Sequence, residues 1–157
     1  MSLFASRVTH YDRIFVLLSV IMITMNGLNF FAVLTAAFAA FLVSGFWYSP
    51  LLFGRQWLLL RGADSSAGNK MQAPEMIGEI ARTIIIAIVI AHFVVVLNIS
   101  DPIHGLYLAL WIWVGFYAMI LAGSVIHDKV PLRLGLIHAG DGLVRIVLMT
   151  IILSIWR

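Results

Sequence analysis

Ser44-Gly45-Phe46-Trp47-Tyr48-Ser49-Pro50-Leu51-Leu52-Phe53-Gly54-Arg55-Gln56-Trp57 is the stretch on which the reading of this chain turns. An uncharged apolar run reaching back to Leu28 ends here in two aromatics and a proline, and a phenylalanine, a glycine, a cation and a further tryptophan follow. Tryptophan and tyrosine gather where hydrocarbon gives way to headgroups, so the pattern is that of a helix leaving a membrane. Leu28 to Tyr48 is about 21 residues, which matches a hydrocarbon core of roughly 30 Å. Pro50 disfavours helical geometry at Ser49 and has no N–H of its own, so the helix is expected to stop or bend there. Phe53, Trp57 and Leu60 then recur at helical spacing with Arg55 and Arg61 among them, which predicts a short interfacial helix with snorkelling cations.

The rest of the chain agrees with a membrane setting. Hydrophobic residues make up 62% and charged residues 11% of the 157, and mean hydropathy is +1.05, whereas a soluble domain is roughly 45–50% apolar and about 25% charged. The length suits about four spans with short connections and leaves no room for a soluble domain beside them. The formal charge of +3 contains no basic run that would argue for nucleic acid, and such an excess in a membrane protein encodes orientation. Without cysteine there is no disulfide, thiolate metal site or cysteine nucleophile.

Beyond the opening stretch the spans follow in order. Within the first, Ala32, Ala36, Ala40 and Ser44 recur every fourth residue, a small-residue face suited either to helix packing inside the chain or to a homo-oligomer seam. Residues 62–73 read as a polar loop. Pro74 and Glu75 suit the first turn of a second helix, whose uncharged part runs from Thr83 to about Ile99. Asp101 and Pro102 read as the cap and first position of a third helix extending to Ile126. A fourth, counted back about 20 residues from Trp156, starts near Leu136. The expected fold is an all-α bundle of four transmembrane helices over 28–157. A separate extension, 1–27, carries a short apolar segment, Ile14 to Met25. This segment lacks a small-x-small cleavage site, which leaves an interfacial helix, anchored by Tyr11 and Arg13, or a translation start at Met25.

Trp-Tyr-Ser-Pro-x-x-Phe-Gly-x-x-Trp at the end of the first apolar helix resembles the bacterial membrane-protein family DUF1761, a domain of unknown function. Trp113-Val114-Gly115-Phe116 and His138-Ala139-Gly140-Asp141 are similar to that family as well. The resemblance runs from about Met25 to the end and implies four membrane helices, with Met1 to Thr24 outside the family pattern. It implies no activity and assigns no catalytic residue.

Cations decide the expected orientation. Arg55, Arg61 and Lys70 lie between spans one and two, Lys129 and Arg133 between three and four, and none between two and three. The positive-inside rule then puts loops 50–73 and 127–135 in the cytoplasm of a cell with this chain in its inner membrane, and both termini outside. Arg7 and Arg13 pull the other way.

In the cytoplasmic half the sequence collects ionisable residues. Glu79 and Arg82 stand three apart near the start of the second span, and Asp141 and Arg145 four apart inside the fourth, with His138 on the same stripe. A charge at the bilayer centre costs about 2.5–3.5 kcal/mol on insertion scales, so such groups face the bundle interior and pair. The expectation is a polar network of Glu79, Arg82, His138, Asp141 and Arg145 beneath a cover made by Trp47, Tyr48, Ser49, Pro50, Phe53, Gly54 and Trp57. Glu79 and Arg82 have a plainer reading as snorkelling side chains, and Asp141 with Arg145 as a structural ion pair. No i,i+4 His pair or Glu-x-x-His motif is present, so no metal and no cofactor is expected. Two function classes follow: a non-enzymatic membrane module whose polar network fixes helix register, and a small transporter or proton/ion pathway using Asp141 and Arg145. An enzyme is not expected, because no nucleophile and base stand at a recognisable spacing.

Overall fold

The computed structural model describes residues 27–62 and 72–156, together with Phe15 and Ser19. Of the apolar segment Ile14 to Met25 the described residues hold only Phe15 and Ser19, both helical, with the Ser19 hydroxyl donating to the Phe15 carbonyl at 2.7 Å. The rest of that segment, Arg7, Arg13 and Lys70 lie outside the described residues.

Five helices follow: α1 Phe30–Trp47, α2 Gly54–Leu60, α3 Ala73–Val96, α4 Pro102–His127 and α5 Leu132–Ile155. All except α2 are long and apolar enough to cross a membrane, and no strand occurs among the described residues.

Local chemistry sets the helix ends. Asn29 accepts from the Ala32 amide at 3.1 Å, and Glu75 accepts from the Gln72 amide at 3.1 Å with Pro74 in the first turn. Asp101 accepts from the Ile103 and His104 amides, both at 3.0 Å, with Pro102 opening α4; each satisfies amides that have no partner within their own helix. After α4 the Lys129 backbone takes a left-handed turn, and its ammonium donates to the Ile126 carbonyl at 3.1 Å. Helix α5 begins at Leu132, a turn before Leu136. Pro131 supplies its N-cap, and the helix therefore extends past the hydrocarbon length used in counting back.

Within α4, residues Trp113–Ala118 form a π-helical turn, a local widening that often marks functional sites. Trp111 is 76% exposed while Trp113 turns inward, so only one of the pair lines the interior.

Helix α5 is central and packs against α1, α3 and α4, while α1 also packs on α3. Ala32, Ala36 and Ala40 on α1 and Ala87 on α3 are completely buried, which lets three backbones approach closely, the usual packing device in lipid. With Ser44 also buried, this stripe is a seam inside the chain. These four residues are covered by the chain's own helices. Val33, Ile90, Val94, Met149 and Leu153 complete an apolar core in the half of the bundle where α1 begins and α5 ends.

Candidate functional site

The other half of the bundle holds the polar groups, and the aromatic motif organises it. Trp47, the last residue of α1, donates its indole N–H to the Ile137 carbonyl of α5 at 3.1 Å. Its ring lies where a Cβ on Gly140 would come within 2.6 Å, so glycine there lets the tryptophan lie flat on α5. The Tyr48 hydroxyl and His138 Nδ1 share a hydrogen bond at 2.7 Å. From α4, the Trp113 indole donates to the Ala139 carbonyl at 2.9 Å. Residues 137–140 of α5 thus receive contacts from two neighbouring helices.

The turn after α1 folds α2 back over this surface. The Ser49 carbonyl accepts from the Leu52 and Gly54 amides at 3.1 and 3.0 Å. Gly54 is buried against the Tyr48 and Ser49 carbonyls, a position that has no space for a Cβ. Phe53 packs on Trp47 with ring centroids 4.7 Å apart, and Trp57 on Tyr48 at 5.4 Å. The Arg61 guanidinium caps the Trp57 ring at 4.6 Å, a cation–π contact. Pro50 is exposed at the bend.

Beneath this cover lie the charges. Arg145, buried in α5, donates from Nη1 to Glu79 Oε1 at 2.8 Å and from Nη2 to the Thr83 hydroxyl at 2.5 Å. Glu79 is also gripped by Arg82 in two-pronged fashion, Nε to Oε2 at 2.9 Å and Nη2 to Oε1 at 2.7 Å. Asp141 accepts from the Ser44 hydroxyl at 2.5 Å and lies 3.7 Å from Arg145 Nη1. At 1.5 Å per residue, Asp141 and Arg145 are about 13 and 20 Å from the start of α5, and Glu79 about 9 Å from the start of α3. Both members of the inner pair are buried with partners, as charges withdrawn from water require.

Beside the network is a cavity of about 470 Å³. Its polar lining is Glu79, Arg82, His138, Asp141 and Arg145, and Tyr48, Trp57 and Tyr117 add aromatic surface. Gly45 and Phe41 of α1 line its side toward α3. Tyr117 belongs to the π-helical turn, and its ring occupies the place where a Cβ on Gly142 would sit. Among the described residues no three His, Cys, Asp or Glu side chains are grouped to hold a metal ion.

All five network residues named from the sequence line this one cavity, but their pairing differs from the helical spacing. Asp141 and Arg145 are within ion-pair distance, yet the closest acidic partner of Arg145 is Glu79, on another helix. His138 bonds Tyr48. Of the seven motif residues, Tyr48 and Trp57 line the cavity, while Trp47, Phe53 and Gly54 hold the cover to α5 and to itself. Sequence reasoning missed Thr83, Tyr117 and the hydroxyl of Ser44. Ser44 looked like a small packing residue and Thr83 the start of an uncharged run; a hydroxyl one turn from Glu79 was the available signal for Thr83.

Four apolar spans around a charge-lined cavity define a small polytopic helical membrane protein with a polar site between its helices. The chain belongs to the family DUF1761, described as a protein of unknown function, whose model matches residues 31–154. No curated protein and no solved structure matches the chain.

Proposed function

We propose that this protein is a non-enzymatic membrane module that binds a small ligand through a polar group held in the cavity between α1, α3, α4 and α5. The observation that carries the reading is open space beside a satisfied network. Glu79, Arg82, Asp141 and Arg145 balance in charge and already have partners, which is all that helix register requires. A cavity of about 470 Å³ adds nothing to register, but it falls in the size range of small-molecule sites, and it combines aromatic walls with a few convergent polar groups. With Arg55, Arg61, Lys129 and Arg133 at the same end, the positive-inside rule puts this half at the cytoplasmic face of the inner membrane.

A small transporter or proton/ion pathway is the second reading, favoured by the depth of Asp141 and Arg145, since intramembrane ionisable groups commonly line such paths. Against it stands the far half of the bundle. Ile90, Val94, Met149 and Leu153 are packed there, and the Thr150 and Ser154 hydroxyls are turned to their own helix carbonyls at 2.6 and 2.9 Å. Passage therefore needs a second helix arrangement.

Native mass spectrometry of the protein released from its membrane tests the binding reading. Gly45 lines the cavity and has no heavy atom within 4 Å of an added Cβ, so the Gly45→Trp side chain starts in open space and its indole is large enough to fill the cavity. The native chain should carry a bound small molecule that Gly45→Trp lacks at equal thermal stability. A ligand-free native chain, or the same adduct on both, contradicts the reading. For the second reading, proteoliposome flux equal in the native chain, Asp141→Asn and Arg145→Gln removes it.

A further inference from the structure

Two spaces meet along the seam between α1 and α3. One is the polar cavity. The other is an apolar groove of about 370 Å³ lined by Leu34, Phe38, Ile80 and Ile84 and bounded by Phe41 and Thr83. Phe41 lines both spaces, and Thr83 carries the hydroxyl that accepts from Arg145 in the cavity. Leu34, Phe38 and Ile80 are exposed on the outside of the bundle, where a spanning helix meets lipid. On α1 the groove continues from Phe41 back to Leu34, about 10 Å along the axis and away from the cytoplasmic end. A polar chamber near one face thus adjoins, at Phe41, an apolar groove running away from that face, an arrangement that suits an amphiphile lying along the membrane normal.

The charges that remain accessible indicate the head. Asp141 and Arg145 are buried and opposite in sign. Of the others, the Arg82 side chain is 48% exposed and that of Glu79 23%, and exposed Arg61 lies over the Trp57 ring that lines the cavity. Of the charges that line the cavity the Arg82 guanidinium is the most accessible, which favours an anion beside it. The Arg82 contact with Glu79 uses Nε and one Nη2 proton, leaving further donors of its fork, and that planar fork matches phosphate geometry.

We propose that the α1–α3 seam holds one membrane amphiphile with a phosphate-bearing anionic head, the head beside Arg82 in the cavity and the alkyl chain in the groove between Leu34 and Phe41. This names the ligand class for the binding reading above and rests on it.

The test is native mass spectrometry of the full chain in an uncharged detergent, titrated with n-dodecyl phosphate, n-butyl phosphate or dodecyltrimethylammonium. The native chain should take one dodecyl phosphate and bind the dodecyl cation about tenfold or more weakly, the worth of one charge-assisted hydrogen bond. Arg82→Gln should lose that preference. Leu34→Trp, at an exposed position that tolerates bulk, should weaken dodecyl phosphate about tenfold and leave butyl phosphate unchanged, so the test stands even if Arg82→Gln does not fold. Equal dodecyl phosphate binding by the native chain and Leu34→Trp, or preference for the cation, overturns the proposal. Butyl phosphate binding as tightly as dodecyl phosphate overturns the amphiphile and leaves the cavity reading standing. A native chain that binds none of the probes and carries no adduct of its own removes both.

Discussion

Removing the Arg145 guanidinium separates the roles of the two carboxylates it faces. Arg145→Gln breaks a buried pair from one side, a change that costs about 3–5 kcal/mol because a charge is left without compensation. The geometry says which charge that is. Glu79 keeps both prongs of Arg82 and is partly exposed. Asp141 is buried and keeps only the Ser44 hydroxyl. Without Arg145 no cation among the described residues remains within ion-pair distance of that carboxylate. Asp141→Asn should therefore cost about 1.5–3 kcal/mol in the native background, as expected for hydrogen bonding to a charged group. In the Arg145→Gln background it should cost less than about 0.5 kcal/mol, the margin within which independent sites add. Arg82→Gln should cost about 1 kcal/mol or less, because its side chain is half exposed and Glu79 retains Arg145. The measurement is equilibrium unfolding in mixed micelles, followed by loss of helical circular dichroism for the native chain, the three single variants and the double variant. An Asp141→Asn cost that is the same in both backgrounds refutes the assignment of Asp141 as the group Arg145 compensates.

Two other substitutions probe the frame around the site. Gly54→Ala places a methyl against the Tyr48 and Ser49 carbonyls and should lower stability by about 1–3 kcal/mol in the same assay, whereas Gly45→Ala should leave it unchanged or raise it by up to about 1 kcal/mol. At the opposite face, the His104 amide and then its ring hold the Asp101 carboxyl below its ordinary value. A carboxyl whose value is lower in the folded chain adds stability above its unfolded value of about 3.9 and loses it as pH falls through the folded one. The thermal-stability gap between the native chain and Asp101→Ala should then be full near neutral pH and close as the pH falls below about 4.

Much of the fold was legible because hydrocarbon thickness imposes a length on uncharged runs, and Pro50, Pro74 and Pro102 punctuate them. The grouping of the charges was legible for a related reason: ionisable residues inside spans have few tolerable surroundings, and Asp141 and Arg145 are buried while Glu79 and the half-exposed Arg82 lie beside them. Their pairing was not. Spacing of four within α5 favours Asp141 with Arg145, but an arginine reaches a neighbouring helix as easily as the next turn, and whether it does depends on how closely the backbones approach. Buried Ala36, Ala40 and Ala87 set that approach here, and it brings Glu79 and Thr83 of α3 to Arg145. The π-helical turn that carries Tyr117, whose ring fills the space beside Gly142, likewise has no local signal in Trp113-Val114-Gly115-Phe116.

Thiol labelling tests most directly the central claim, that one half of the bundle holds an accessible cavity beside Glu79, Arg82, Asp141 and Arg145. The chain has no cysteine, so Phe41→Cys is the only reactive thiol. Phe41 lies about 9 Å inside the end of α1, where a thiol ionises and reacts only if water reaches it. A membrane-impermeant methanethiosulfonate reagent should modify it when added at the face carrying residues 48–53, should fail from the opposite face, and should be slowed by Gly45→Trp. Equal modification from both faces, or none from either, contradicts the account.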